Sequence, residues 1–264
     1  MKLAILLTGT VKPAVIGGSF SVEERMKMYE GTLRFYARTI GRKYPIVLVE
    51  NSDVSLKAWN LEFKDSLDLE ILQFRPDDPV ASVGFDNSQG KGYNEYLMIK
   101  KAILTSEKLK KCTHFLKITG RYAMENICDV IREIERRAQD KVFFDDIKDT
   151  RLYDIIGRKN TDSGHWADSR FFVAEIAYYK ENLMDIYKDM NDYNGRNAES
   201  CLFDLYKEHK HDARFLFRYR TQVQFDGSCG LVTDNFSESY NSPKARLKNK
   251  MRQLLRYMFP NIWF

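Results

Sequence analysis

At 264 residues, 44% hydrophobic and 13% aromatic, the chain has enough apolar content to bury a core, which excludes a disordered polar polymer. Its four cysteines, Cys112, Cys128, Cys201 and Cys229, form no C-x-x-C pair, which argues against a zinc site or a disulfide scaffold and fits a reducing, cytoplasmic location. The net charge of +5 is concentrated between Ser239 and Phe264, a stretch with six Lys/Arg and no acid, so the body is near neutral and is not expected to bind nucleic acid.

The opening MKLAILLTG is short for a signal peptide, and residues 3–9 are expected to form a buried strand. Ser21 and Glu24 make an S-x-x-E capping box. Val22, Met26, Tyr29, Leu33, Tyr36 and Ile40 then repeat at helical spacing until Gly41. PIVLVEN (45–51) and LEILQFR (69–75) are the next strands. Asn94 is placed to cap a helix running to about Lys111, and THFLKIT (113–119) follows as a fourth strand. Asn126 is placed to cap a helix with Ile127, Val130, Ile131 and Ile134 inward. KVFFDDI (141–147) and RFFVAEI (170–176) are expected as strands, 178–190 and 197–209 as helices, and 213–225 as one long strand or a bent pair. No run reaches the roughly 18 apolar residues of a spanning helix.

This alternation implies an α/β fold, a mainly parallel sheet covered by helices on both faces, with ligands at the carboxyl ends of the strands. Thr8-Gly9-Thr10, Glu50-Asn51-Ser52 and Lys117-Ile118-Thr119-Gly120-Arg121-Tyr122 are polar breaks at such ends. The glycines after the first strand have the wrong spacing for a dinucleotide turn, and no G-x-x-x-x-G-K-[ST] loop occurs, which excludes simple Rossmann dehydrogenases and P-loop ATPases. There remain cations beside glycines. Lys91, between Gly90 and Gly92 at a helix start, is one, and Lys117 and Arg121 are the others. Backbone amides at such a start, with point and bidentate cations, suit a diphosphate. A solvated Lys91, and an Arg121 paired with Asp145 or Asp146, are the plainer alternatives.

GKGYNEYLMIKKAIL (90–104), FLKITGRY (115–122) and ADSRFFVAEIAYY (167–179), in this order, resemble bacterial glycosyltransferases of capsule and O-antigen (lipopolysaccharide) clusters with GT-A-like, Rossmann-like architecture. The resemblance covers residues 1 to about 235. It implies transfer of a sugar from a nucleoside-diphosphate-sugar donor to a polyprenyl-linked or growing oligosaccharide acceptor. It also implies donor contacts from Thr8, Gly9, Thr10, Glu50, Asn51, Lys91, Gly92, Lys117, Thr119, Gly120 and Tyr122. Such enzymes usually carry a D-x-D metal motif after the fourth strand. Thr119-Gly120-Arg121 stands there instead, and no Asp-x-Asp occurs in the chain. No metal is therefore expected to be required, with fixed cations, Arg121 foremost, facing the leaving diphosphate. Asp145 and Asp146 are the fallback ligands for Mn or Mg. Glu199, in a first helical turn, and Asp168 are the candidate catalytic bases, and His165 and Trp166 the candidate acceptor contacts.

In the tail, Leu247, Met251, Leu254, Leu255 and Met258 share one helical face, cations fill the other, and Phe259, Ile262, Trp263 and Phe264 close the chain. A basic amphipathic helix of this kind is expected to lie on the cytoplasmic face of a membrane through residues 243–264, against the alternative of packing on the core. The expected division is a body of residues 1–238 and a tail of 239–264. A non-catalytic membrane-surface or nucleic-acid-binding module is the second reading, and a nucleotidyltransferase the third.

Overall fold

A computed structural model describes residues 1–13, 20–149, 165–226 and 243–259, with the side chains of 245 and 246 excepted. Arg151, a further candidate partner for Asp145 and Asp146 in the sequence, the body–tail boundary at 238/239 and the closing Ile262, Trp263 and Phe264 lie outside the described residues.

Seven strands form the main sheet in the order β10-β6-β9-β4-β1-β2-β3. The seven-residue strand β1 (Leu3–Gly9) is wholly buried at its middle. It pairs in parallel with β2 (Pro45–Glu50) and β4 (His114–Thr119), and β2 with β3 (Asp68–Gln73). Beyond β4 the sheet turns mixed. The strand β9 (Phe171–Glu175) runs antiparallel to both β4 and β6 (Phe143–Phe144), and β10 (Phe215–Leu216) pairs in parallel with β6. Two small pairs lie outside it, β5 (Ala123–Met124) with β11 (Phe225–Asp226) and β7 (Ile147–Asp149) with β8 (His165–Ala167).

Alternating residues of β1 feed two cores, as the period of two demands. Leu3, Ile5 and Leu7 pack with α1 (Val22–Thr39), α2 (Lys57–Phe63) and α4 (Ile127–Arg137). Ala4 and Leu6 pack with α3 (Lys91–Thr105) and α5 (Ala198–His209). The expected two-faced parallel architecture is present. The register sets Thr8 beside Thr119 and Gly9 beside Glu50, so the polar breaks after β1, β2 and β4 fall on one edge. Because β9 is antiparallel, its leading residues Ser169 and Arg170 arrive at the same edge.

Several expected elements differ in extent. The capping box of α1 is formed, with Ser21 Oγ accepting from Glu24 N and the Glu24 carboxylate accepting from Ser21 N. The helix α3 instead starts at Lys91 and stops at Thr105, with a separate 3-10 turn at Leu109–Lys111. Asn94 lies inside it, its side chain turned back to Asp86 and Gly90. Asn126 precedes α4, but its side chain ties down Gln222 and Gln224. KVFFDDI splits at Asp145-Asp146, where Asp146 N donates to Asp145 Oδ1. Residues 176–189 are short helical turns in place of one helix. The segment 213–225 is not a continuous strand, because Arg220 N and Thr221 N donate to the Glu133 carboxylate of α4. Sequence periodicity missed α2, which buries Trp59 and Phe63.

The terminal helix α6 (Pro243–Met258) touches the body with its polar side. Arg256 makes contacts of 3.0 Å to both Asp146 carboxylate oxygens, and Gln222 Nε2 donates to Asn249 Oδ1 at 3.3 Å. Leu247, Met251, Leu254 and Met258 are each 58–62% exposed.

Candidate functional site

The carboxyl edge of the sheet is organised by one buried cation. Lys117, fully buried on β4, sends its ammonium to Glu95 Oε1 at 2.7 Å, to the Ser169 carbonyl at 2.5 Å and to Thr119 Oγ1 at 3.2 Å. Glu95 belongs to the second turn of α3 and also accepts from Thr8 Oγ1 at 2.5 Å. Burial raises the Glu95 pKa, but the charge and hydrogen bond of Lys117 and the bond from Thr8 outweigh it, so the net shift is downward. Ser169 extends the chain of contacts by donating from Oγ to Glu199 Oε1 at 2.5 Å. Thr8, Thr119, Glu95, Lys117, Ser169 and Glu199 thus form one connected set drawn from β1, α3, β4, the loop before β9 and the first turn of α5.

Arg121 stands beside this set. Its guanidinium donates to Tyr122 Oη at 2.6 Å and lies 4.7 Å from that ring's centroid, while its Nε is buried with no hydrogen-bond partner among the described residues. Burial lowers the Arg121 pKa, and Tyr122, Tyr29 and Glu95 more than restore it, so the group stays charged. The plainer alternative, an ion pair of Arg121 with Asp145 or Asp146, is not formed: Asp146 is held by Arg256.

The three cations do not make a common cradle. Lys117 is sealed against Glu95. At Lys91 the expected anion site is filled from within, because Asp192 Oδ2 accepts from Lys91 N at 2.6 Å and from Gly92 N at 3.3 Å. Gly90, at φ 98°, has no room for a Cβ, which would lie 2.5 Å from Asp192 Oδ2. The glycines of G-K-G thus admit a carboxylate of this chain to the positive end of α3. Gly9 and Gly120 likewise make room for the Tyr29 ring.

Glu50 is fully buried and spends both oxygens on its own loops: Val11 N donates at 2.9 Å, Ser52 N at 3.0 Å, and the Ser52 hydroxyl bonds closely. That ties the loop after β1 to the loop after β2. Thr10 and Asn51 meet beside it, Thr10 Oγ1 donating to Asn51 Oδ1 at 2.6 Å. Arg25 and Tyr29 of α1 hold the Thr10 backbone.

Of the two candidate bases, Asp168 is buried and held in a bidentate pair by Arg170, with contacts of 2.8 and 2.5 Å. Glu199 is half-buried and engaged through Oε1. His165 Nδ1 lies 2.8 Å from Asp149 Oδ1, whose other oxygen accepts from Tyr206. Trp166 is 41% exposed, with the Arg170 guanidinium 6.0 Å from its ring.

Asp145 and Asp146, the fallback metal ligands, are held within the chain, with Asp145 Oδ2 buried and without a hydrogen-bond partner among the described residues. Asp146 is committed to Arg256, and Asp145 is fully buried with its pKa pushed well above the usual range by desolvation. Among the described residues no three His, Cys, Asp or Glu side chains could hold a metal ion together. A cavity of about 1110 Å³ opens away from the strand ends, between residues 178–189 and α5. Its charges pair with one another, as Arg196 and Lys207 do with Asp204.

Glu95, Ser169 and Asp192 went unread in the sequence, whereas the pairing of Asp168 with Arg170 was open there as the plainer alternative to a catalytic base and is the one the structure forms. Glu95 had a local signal, a carboxylate amid the buried residues Asn94, Tyr96, Leu97 and Met98. Asp192 had none, since its partners are about a hundred residues away.

No family model matches the chain, and no curated protein matches it. Solved structures do resemble it. They include mouse Xyloside xylosyltransferase 1 in its apo form, at 11% identity over 81% of this chain and 84% of that one, TM-score 0.43. Another is S. aureus TarS 1–349 in complex with UDP-GlcNAc, at 15% identity over 97% of this chain and 67% of that one, TM-score 0.49. A third is a putative nucleotide-diphospho-sugar transferase from Desulfovibrio desulfuricans G20, at 8% identity over 97% of each chain, TM-score 0.45.

Proposed function

We propose that the chain is a GT-A-like glycosyltransferase, moving a sugar from a nucleoside-diphosphate-sugar donor to a lipid-linked or growing surface-glycan acceptor of a bacterial capsule or lipopolysaccharide. The observation that carries this reading is the connected set Thr8–Glu95–Lys117–Ser169–Glu199 with Arg121 beside it, all at the carboxyl edge of a mainly parallel sheet. Lys117 is a positioning residue: it fixes Glu95 and the Ser169 carbonyl, and so the carboxylate that Ser169 holds.

In an inverting transfer, Glu199 takes the proton of the acceptor hydroxyl, whose oxygen attacks the anomeric carbon as the bond to the diphosphate breaks. The leaving diphosphate gathers negative charge, and Arg121 supplies the fixed positive charge opposite it without a bound cation. Asp168 is set aside as base because Arg170 occupies both of its oxygens. Thr10 and Asn51 face the nucleoside, and Trp166 offers an exposed ring to the acceptor.

The tail brings the enzyme to its acceptor. No described helix is long and apolar enough to cross a membrane. An α6 that docks through Asn249 and Arg256 while exposing Leu247, Met251, Leu254 and Met258 suits the cytoplasmic membrane face, where a polyprenyl-linked acceptor would be presented. Thermal unfolding with UDP, GDP, CMP or dTDP, in EDTA or in manganese, tests the reading. At a hundred times Kd a true donor nucleotide should add about 2.7 kcal/mol of stability and do so in EDTA. Stabilisation by none of the four would defeat the reading, and stabilisation only with manganese would defeat its metal-free form.

A further inference from the structure

Tyr96 of α3 carries a buried hydroxyl that the fold does not use. Its ring stacks on Phe172 of β9 with centroids 6.0 Å apart, and its Oη has no hydrogen-bond partner among the described residues. An unpaired buried hydroxyl is a cost to folding that phenylalanine, with the same ring, avoids. Phe172 lies in register with Lys117, so the Tyr96 ring sits over the stretch of sheet that presents the lysine. Burial pushes the Tyr96 pKa well up, and Tyr179, Glu95, Asp145 and Glu199 add to the rise. The group therefore stays an O–H donor, with three carboxyl groups in electrostatic reach.

Two of the three have no need of that donor. Glu95 is neutralised by Lys117 at 2.7 Å and bonded by Thr8. Asp145 is fully buried, and desolvation pushes its pKa well up, so it is carried as the uncharged acid with Oδ2 unpartnered. Glu199 accepts from Ser169 at Oε1, and its other oxygen has no hydrogen bond among the described residues. We propose that Tyr96 is a positioning residue for Glu199, reaching its second carboxylate oxygen through one bound water that Asp145 also holds. A water with three polar partners is how proteins satisfy orphaned groups at this depth. The bridge orients Glu199 and favours its carboxylate form. This rests on the reading of Glu199 as the base.

Tyr179 supplies the control. Its ring also stacks on Phe172, at 6.3 Å, and its hydroxyl is likewise buried and unpartnered, but after burial the group acting on it is Glu95 and not Glu199. Release of nucleoside diphosphate from UDP-N-acetylglucosamine, UDP-glucose, GDP-mannose and dTDP-rhamnose, with water in the acceptor's place, is followed against pH for the native chain, Tyr96→Phe and Tyr179→Phe. Urea unfolding should find both variants at least as stable as the native chain, since each loses an unpaired hydroxyl. Tyr96→Phe should nonetheless lower kcat about three- to tenfold at unchanged KM, the worth of one net hydrogen bond. It should also move the acid limb of the pH–rate profile upward by about half a unit to one unit. Tyr179→Phe should change neither. An unmoved acid limb in Tyr96→Phe, or the same movement in Tyr179→Phe, overturns the proposal and leaves glycosyl transfer standing. A marked loss of stability in Tyr96→Phe overturns it too, because the hydroxyl would then have a structural partner. If the native chain releases diphosphate from none of the four donors, the transfer reading fails and the role of Tyr96 with it.

Discussion

At the scale of single residues, the stability of the site edge depends on Lys117. Removing one partner of a buried ion pair leaves the other charge uncompensated, so Lys117→Met should cost about 3–5 kcal/mol in urea unfolding, and adding Glu95→Gln should recover much of it. Because the folded Glu95 pKa lies below its ordinary 4.5, the pair's contribution is fully present above that pH and is lost as pH falls through the folded value. Without Lys117, burial raises the Glu95 pKa, so the variant gains stability as pH falls towards 4.5, and the deficit narrows there and again below about pH 4.5, where the native chain loses its pair. A deficit independent of pH would mean that Lys117 acts by packing alone. Arg121→Ala makes the contrasting case. Its loss should leave unfolding nearly unchanged but weaken nucleoside-diphosphate binding by about 1.5–3 kcal/mol, the worth of a charged hydrogen bond, in calorimetric titration. Collapse of the fold would show it to be structural instead. From sequence, Lys117 and Arg121 look alike, two cations after one strand. Their roles separate because β4 points Lys117 toward α3, where Glu95 waits, and the sequence does not reveal which helix residue that will be.

The elements show which signals are local. The cap of α1, the four parallel strands and the spacing of α4 were legible because each depends on residues within one turn or one strand. The start of α3 was not, since the group that caps it is Asp192, and the unravelled 213–225 segment was not, since Glu133 captures its amides. Glycine at 90 is the point where this can be probed. Gly90 and Gly195 both have positive φ, 98° and 81°, so an alanine at either should cost about 1 kcal/mol in backbone strain. Only at Gly90 would the added methyl meet Asp192, whereas the space around Gly195 is open. Gly90→Ala should therefore destabilise clearly more than Gly195→Ala in denaturant unfolding, and equal costs would show that the Asp192 contact can shift freely. Asp192→Ala should lose about 0.5–2 kcal/mol as an N-terminal cap.

For the molecule as a whole, the question is how far the tail belongs to the fold. Among its described side chains only Asn249 is buried, so α6 adds little apolar burial, and the two cores close without it. What it does contribute is charge, since Arg256 is a counter-ion of Asp146, a carboxyl whose pKa burial already pushes up. A chain ending at 242 should therefore unfold cooperatively, as an independent body does, but with a deficit of about 1–3 kcal/mol from the uncompensated carboxylate. Asp146→Asn separates the two contributions. In the truncated chain it removes a charge that has lost its partner, and should restore most of the deficit. In the full chain it strands Arg256 beside Arg218, and should destabilise. Opposite signs in the two backgrounds, measured by urea unfolding, would mark α6 as a helix latched to the body through one ion pair and otherwise available to a surface. If the truncated chain loses cooperative unfolding, or Asn at 146 destabilises both chains alike, the tail is part of the core and its exposed apolar row needs another explanation.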